Sequence, residues 1–290
     1  MSDIDQVTLD AGGKPVTLPV LKGTLGNPCI DISRLPKETG CFTYDSGFTA
    51  TASCKSAVTY IDGNEGVLLY RGYPVQDLAE HCTFEEVTYL LLFGKLPTRN
   101  ELAAFDAELK SERRLKFRII DVLKQLPESG HPMDALTAAV ATMGMFYPGD
   151  HVEDAEFRRL TVVRIIAKLP TIVAAWHRIR RGDDPIKPRE DLGHAANFLY
   201  MLDGRVPSKT AERVFDVGLI LHAEHSMNAS TFSARVTGST LADPYAVVAS
   251  AVGTLAGPLH GGANERVLSM LQTIGESSPA AVRHWAEDRL

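Results

Sequence analysis

Cysteine is scarce: the 290 residues hold four, Cys29, Cys41, Cys54 and Cys82, all in the first third and none in a C-x-x-C pair. Nothing at the N-terminus resembles a secretory signal, so the expectation is reduced thiols and a cytoplasmic location. Positive charge is in deficit, with 30 Lys and Arg against 36 Asp and Glu, a net charge of -6 and a pI near 5.9. No global basic field is left to hold a polyanion, which argues against a nucleic-acid partner. Long hydrophobic runs are also missing. The most apolar stretch singled out, "AVVASAVGTLAGPL", is too short and too small-sided to span a bilayer, and no membrane segment is expected. Neither a P-loop nor a G-x-G-x-x-G is present, so the usual glycine-based nucleotide cradles are absent. No internal repeat or low-complexity tract occurs. What is there is 44% hydrophobic residues, enough to build a core in one large domain or two ordinary ones.

To about Tyr73 the chain is rich in β-branched residues and turn signals. "SAVTYIDGNEGVLLYRGY" predicts two strands joined by a tight turn at Asp62-Gly63-Asn64, which would supply the positive-φ positions. Helical signals follow. Thr83 with Glu86 and Thr98 with Glu101 have capping-box spacing, Gly94 and Pro97 close the first of these runs, and Pro132 suits the first position of a helix. "EFRRLTVVRIIAKLPTIVAAWHRIRRG" predicts a long helix interrupted at Pro170 and stopped by Gly182. A charged loop, "GDDPIKPRED", precedes a helix around 192–202. In "SKTAERVFDVGLILHAEHSMNAS", helical spacing places Val214, Val217, Leu221 and His225 on one stripe, with His225 continuing a buried face. The next helix opens at Asp243-Pro244 and ends at Gly257-Pro258, and another begins near Gly262 or Ala263. The fold class expected is mainly α with a β-rich N-terminal portion.

His260 falls in the break between those last two helices, in "GPLHGGAN", among residues suited to bending rather than packing. At a helix entrance, free N–H groups and the positive end of the dipole disfavour an imidazolium. A neutral ring can still donate one hydrogen bond, which suits stabilising a developing enolate. Gly257, Gly261 and Gly262 would let a ligand approach the backbone. Spacing alone fits a histidine that fills a helix–helix corner equally well. His222 and His225 are three apart and can face the same way. H-E-x-x-H is absent, and H-x-x-E-H would need histidine where Leu221 stands, so no metal site is expected. A buried, hydrogen-bonded pair and a pair that binds a substrate carboxylate or carbonyl both stay open. Cys54 reads as a structural thiol, and the basic runs "SERRLKFR" and "HRIRRG" as solvated helix faces.

Three blocks together carry a family resemblance: "TYDSGFTATASCKSAVTYIDGNEGVLLYRGYPV", "LILHAEHSMNASTFSARVTGSTLADPY" and "GPLHGGANERVL". In order and spacing they resemble the citrate synthase family, in its bacterial form with a β-rich N-terminal segment. The resemblance covers the chain from about Cys41 onward. It implies a mainly α-helical citrate synthase fold divided as 1–75 β-rich segment, 76–260 large helical domain and 261–290 start of the small domain. It implies condensation of acetyl-CoA with oxaloacetate and water to give citrate and CoA, in the tricarboxylic acid cycle, with acetyl-CoA as substrate and no cofactor or metal. Carried over by residue, His260 matches the histidine that hydrogen-bonds the thioester oxygen. His225 matches one that contacts oxaloacetate, Asn228 lies in the same substrate-facing loop, and His222 supports them. A homo-oligomer, a dimer or a hexamer of dimers, follows as well, and the Ala-rich "DALTAAVATMGMF" and "YAVVASAVGTLAG" permit the close helix packing of such an interface.

Two departures are expected to matter. The family's second catalytic histidine, its catalytic aspartate and the arginines that grip oxaloacetate match nothing before Leu290, so the 290-residue chain is expected to be an N-terminal portion with little activity alone. Where some bacterial members bind NADH through an Arg-His-Thr-Met segment, this chain reads Ser111-Glu112-Arg113-Arg114. The alternatives are 2-methylcitrate synthase, since one methyl is worth only about 1–3 kcal/mol of discrimination, and a non-catalytic helical interaction protein.

Overall fold

The computed structural model describes residues 4–148, 151–275 and 278–288. The chain forms two compact units, 1–75 and 76–290. In the first, β1 (Gln6–Asp10), β2 (Pro15–Leu21) and β3 (Cys29–Ile30) pair antiparallel. Along β2 burial alternates, with Val16 and Leu18 turned inward, and these two join Leu35 of α1 (Leu35–Thr39) in a small core. A second antiparallel sheet holds β4 (Thr59–Asp62), β5 (Val67–Tyr70) and β6 (Tyr73–Pro74). The β4–β5 hairpin is present, but its turn is wider than the sequence suggests. Asp62 accepts the N–H groups of Asn64 (3.0 Å) and Glu65 (3.2 Å), and the left-handed position falls at Gly66, φ 66°, not at Asp62-Gly63-Asn64.

The second unit is helical. Its elements are α2 (Val75–His81), which starts at the boundary, α3 (Phe84–Phe93), α4 (Arg99–Glu112), α5 (Phe117–Gln125), α6 (Pro132–Phe146) and α7 (Ala155–Ile179). They continue with α8 (His194–Asp203), α9 (Lys209–Leu221), α10 (Ala229–Gly238), α11 (Pro244–Leu255), α12 (Gly262–Ile274) and α13 (Pro279–Glu287). Both capping boxes form: Thr83 and Thr98 each accept the N–H three residues on at 3.3 Å, and each donates its own N–H to the carboxylate of Glu86 or Glu101. Each N-cap contributes about 1 kcal/mol. Pro132 and Pro244 occupy first turns, after His131 and Asp243 as caps.

α7 runs unbroken through Pro170, so the expected interruption does not occur. Proline removes one backbone hydrogen bond. Thr171, Ile172, Ala174, Ala175 and Trp176 are all buried immediately after it, and their packing holds the helix on course. The main core gathers Ile119 and Leu123 of α5, Met143 of α6, Ile172 and Trp176 of α7 and Tyr245 of α11. Among the described residues α7, not the stretch chosen from sequence, is the helix long and apolar enough to cross a membrane, and 56% of its most apolar window lies buried inside the fold. That is the signature of a core helix, and it carries Lys168 at its middle.

The basic run 111–118 is not all solvated surface. Arg113 is 2% exposed and donates to the carbonyls of Arg189 (2.9 Å) and Leu192 (2.7 Å), pinning the charged loop before α8. Lys168 is buried beside it and donates to the carbonyls of Glu112 and Arg114. Burial pushes the Lys168 ammonium down. Burial also works to raise Glu112, but the Arg164 guanidinium at 3.0 Å and the Lys168 ammonium at 3.2 Å outweigh it and hold that carboxyl below its usual range. Nearby, the buried carboxylate of Glu85 accepts the His194 N–H at 2.7 Å.

Candidate active site

The sequence places a break between Gly257-Pro258 and Gly262, and the structure shows what bends it. The N–H groups of His260 (3.0 Å) and Gly262 (3.2 Å) both reach the Gly257 carbonyl, folding the chain back between α11 and α12. A Cβ at Gly261 would stand 2.4 Å from the Leu255 carbonyl oxygen. The glycine is therefore required by the chain's own close approach, a more local reason than access for a ligand. His260 is half-buried in this turn. Its Nε2 lies 2.8 Å from Ser230 Oγ, and that same hydroxyl lies 3.0 Å from the Ala251 carbonyl.

A hydroxyl has one proton, so the two bonds of Ser230 constrain the imidazole. When Ser230 donates to Ala251, it can only accept from His260, and a neutral ring then carries its proton on Nε2. When Ser230 donates to Nε2 instead, the proton sits on Nδ1. Ser230 was not singled out from sequence. Its one available signal is position: two residues after Asn228, it falls in the first turn of any helix that Asn228 caps.

His225 departs from expectation. α9 stops at Leu221, His222 is its C-cap, and His225 lies beyond the helix and is exposed. Val214 and Leu221, expected on the same buried stripe, are 68% and 46% exposed. The buried side of α9 is instead Asp216 and Ile220. A polar network fixes that choice: Asp216 accepts the Phe84 N–H at 3.0 Å, while Arg213 donates to the carbonyls of Ala79, Glu80 and Cys82. Val214 lines an apolar groove with Leu199, Phe215, Leu219 and His222. The His222 Nδ1 lies 2.7 Å from the Gly218 carbonyl, an acceptor only, so this nitrogen carries a proton.

After α9 the chain turns at Ser226, a non-glycine residue at φ 74°, whose N–H meets the Glu224 carboxylate at 2.5 Å. The left-handed residue costs on the order of 1 kcal/mol and swings the chain into α10. Asn228 caps that helix, its Oδ1 accepting the Thr231 N–H at 2.8 Å. With Oδ1 so engaged, the amide Nδ2 must be the atom 3.1 Å from His225 Nε2, so it donates and His225 accepts. The proton of a neutral His225 is thereby on Nδ1. His225 and His260 are thus both held by the opening of one helix, through Asn228 and Ser230, while His222 bonds within its own. Among the described residues, no three of His, Cys, Asp or Glu converge as a metal site.

Known proteins share this arrangement of elements. The family described as citrate synthase, C-terminal domain, matches residues 47–290. A citrate synthase of Synechocystis sp. is 56% identical over 232 residues, 80% of this chain and 58% of the relative. One from Haloferax volcanii is 45% identical over 248 residues, 84% of this chain and 65% of the relative. Among solved structures, citrate synthase from Pyrobaculum aerophilum is similar at a TM-score of 0.75 with 40% identity, covering 90% of this chain and 62% of that one. Citrate synthase from Thermotoga maritima gives 0.74 and 38%, covering 85% and 64%. The chain therefore spans about three fifths of the length of the relatives it matches.

Proposed function

The chain belongs to the citrate synthase family, and on that premise we propose that it serves the condensation of acetyl-CoA with oxaloacetate and water to give citrate and CoA. The observation that carries this is the shared anchorage of His260 and His225 at the opening of α10, with Asn228 fixing the tautomer of His225 and Ser230 holding the Nε2 side of His260. In this reading His260 Nε2 is taken up by Ser230, so Nδ1 is the nitrogen offered to the thioester oxygen of acetyl-CoA. It can donate there when the Ser230 hydroxyl turns its proton to Nε2. As the methyl group is deprotonated, charge grows on that oxygen, and a fixed donor stabilises the enol form more than the ground state. His225, protonated on Nδ1, donates to oxaloacetate, and Asn228 keeps its ring in that tautomer. His222 keeps a supporting role at the end of α9.

The division at residue 260 into a large helical domain and the start of a smaller one is part of the same proposal, with His260 at the junction. So are a homo-oligomer, a cytoplasmic location and work in the tricarboxylic acid cycle. The Ala-rich helices expected at an interface, α6 and α11, pack extensively on each other within one chain, and Met145 of α6 remains 77% exposed. The four cysteines are free thiols, as a reducing compartment requires.

The test is CoA release from acetyl-CoA and oxaloacetate by the complete gene product, with His260→Ala alongside and propionyl-CoA as a second donor. Oxaloacetate-dependent release that falls by about 100-fold or more in the variant is expected. No release with either thioester, or full activity in the variant, would overturn the assignment.

A further inference from the structure

α10 buries no residue of its own, yet its pairing with α11 is the most extensive between any two helices. Hydroxyl groups fill the seam. Ser230, Ser233 and Thr237 stand at offsets of zero, three and seven, one face of a helix. Opposite them, Ser250 Oγ lies 2.6 Å from Ser233 Oγ and accepts from Thr237 Oγ1 at 3.1 Å. The Ser250 carbonyl in turn accepts from Thr254 Oγ1 at 2.9 Å. One hydroxyl of α11 is thus gripped by two from α10. The next residue along α11 is Ala251, whose carbonyl competes with His260 for the proton of Ser230.

We infer that Ser250 is a positioning residue for His260: held by Ser233 and Thr237, it sets the register of α10 on α11 and so decides how Ser230 divides its proton between Ala251 and the imidazole. With the register held, Ser230 stays within reach of the Ala251 carbonyl and the neutral ring keeps its proton on Nε2. With the grip released, the carbonyl drifts from Ser230, the hydroxyl turns to Nε2, and the ring proton moves to Nδ1. No atom is lost or gained; one proton changes nitrogen as another rotates about the Ser230 C–O bond. The catalytic meaning of this device rests on the reading of His260 given above, in which the held register keeps the ring in the tautomer that does not donate from Nδ1 until the Ser230 proton turns to Nε2; the tautomer itself does not rest on that reading.

The measurement is nitrogen NMR of the 290-residue chain carrying labelled histidine, with the His260 signals assigned by their loss in His260→Gln and recorded where titration shows the ring neutral. Ser250→Ala is expected to raise the ratio of Nδ1–H to Nε2–H at His260 by roughly threefold to tenfold, the range one net hydrogen bond produces. Ser250→Thr, which restores the hydroxyl, should return it to the starting value. Ser233→Ala with Thr237→Val approaches the same seam from α10 and should reproduce the shift, which covers the case in which Ser250→Ala does not fold. An unchanged ratio in a folded Ser250→Ala or in the α10 double variant overturns the inference, as does an equal shift in Ser250→Thr. Absence of CoA release by the complete gene product would remove the functional reading and leave this result standing.

Discussion

His194 opens α8 and is 6% exposed, its ring tilted against Phe84 at 5.1 Å between centroids. Burial, reinforced by the Arg113 guanidinium, pushes its pKa from the usual 6.5 down to about 4. As acid is added, the unfolded chain takes up this proton first. The contribution of His194 to stability is therefore full above about pH 6.5, shrinks as pH falls, and is gone below about 4. The whole effect is about 3 kcal/mol, of which about 2 kcal/mol is expressed between roughly pH 7.5 and 5. Glu85 and Asp216 act in the opposite sense, because burial raises both carboxyls and their protonation favours the folded state. Both are retained in His194→Gln, so comparing that variant with the parent isolates the histidine. Urea unfolding followed by far-UV circular dichroism should show the variant less stable near pH 7.5, with its deficit narrowing by about 2 kcal/mol near pH 5. Two stability curves that run parallel across this range would falsify the reasoning.

Three further outcomes follow from the site. Asn228→Asp keeps an oxygen for the Thr231 N–H but loses the donor to His225, so the complete gene product should keep its stability within about 0.5 kcal/mol while KM for oxaloacetate rises on the order of tenfold; an unchanged KM would sink the role given to Asn228. Gly261→Ala must displace the Leu255 carbonyl, and calorimetry should show a loss of about 1–3 kcal/mol; unaltered melting would mean that the turn does not need its glycine. NADH should leave the complete gene product uninhibited, because the Glu112 carboxylate already engages Arg164 and Lys168 in the segment where the resemblance puts the NADH contacts; inhibition that disappears in Glu112→Ala would reverse that reading.

Much of the helical frame was legible because its signals are local. A threonine three residues before a glutamate, or an aspartate before a proline, needs no distant partner to start a helix, and Thr83, Thr98 and Asp243 all do so. The failures share a cause of the opposite kind. Pro170 does not stop α7 because five of the next six residues are buried, among them Ile172, Ala175 and Trp176 in the main core, which proline chemistry alone does not reveal. Arg113 turns inward toward carbonyls 76 and 79 residues away. His225 left its expected stripe because Arg213 and Asp216 fasten the other side of α9 to carbonyls and an N–H more than 130 residues distant. His260, His222 and His225 stood out by position and spacing, whereas Asn228 and the role of each came through the resemblance. Ser230 and the hydroxyl seam behind it came through neither, since a serine on a helix is unremarkable until the helix opposite is in place.

Asn228 and Ser230 sit within a single turn, and each steadies a different imidazole. Damage to that turn cannot be confined to one substrate: whatever frays the start of α10 misaligns the groups that receive the keto acid and the thioester together. Lesions that unwind 228–231 should accordingly form one indivisible class, in which saturation by either reactant and the speed of turnover fail in step, whereas a change that keeps the cap and alters one contact, such as Asn228→Asp, separates them.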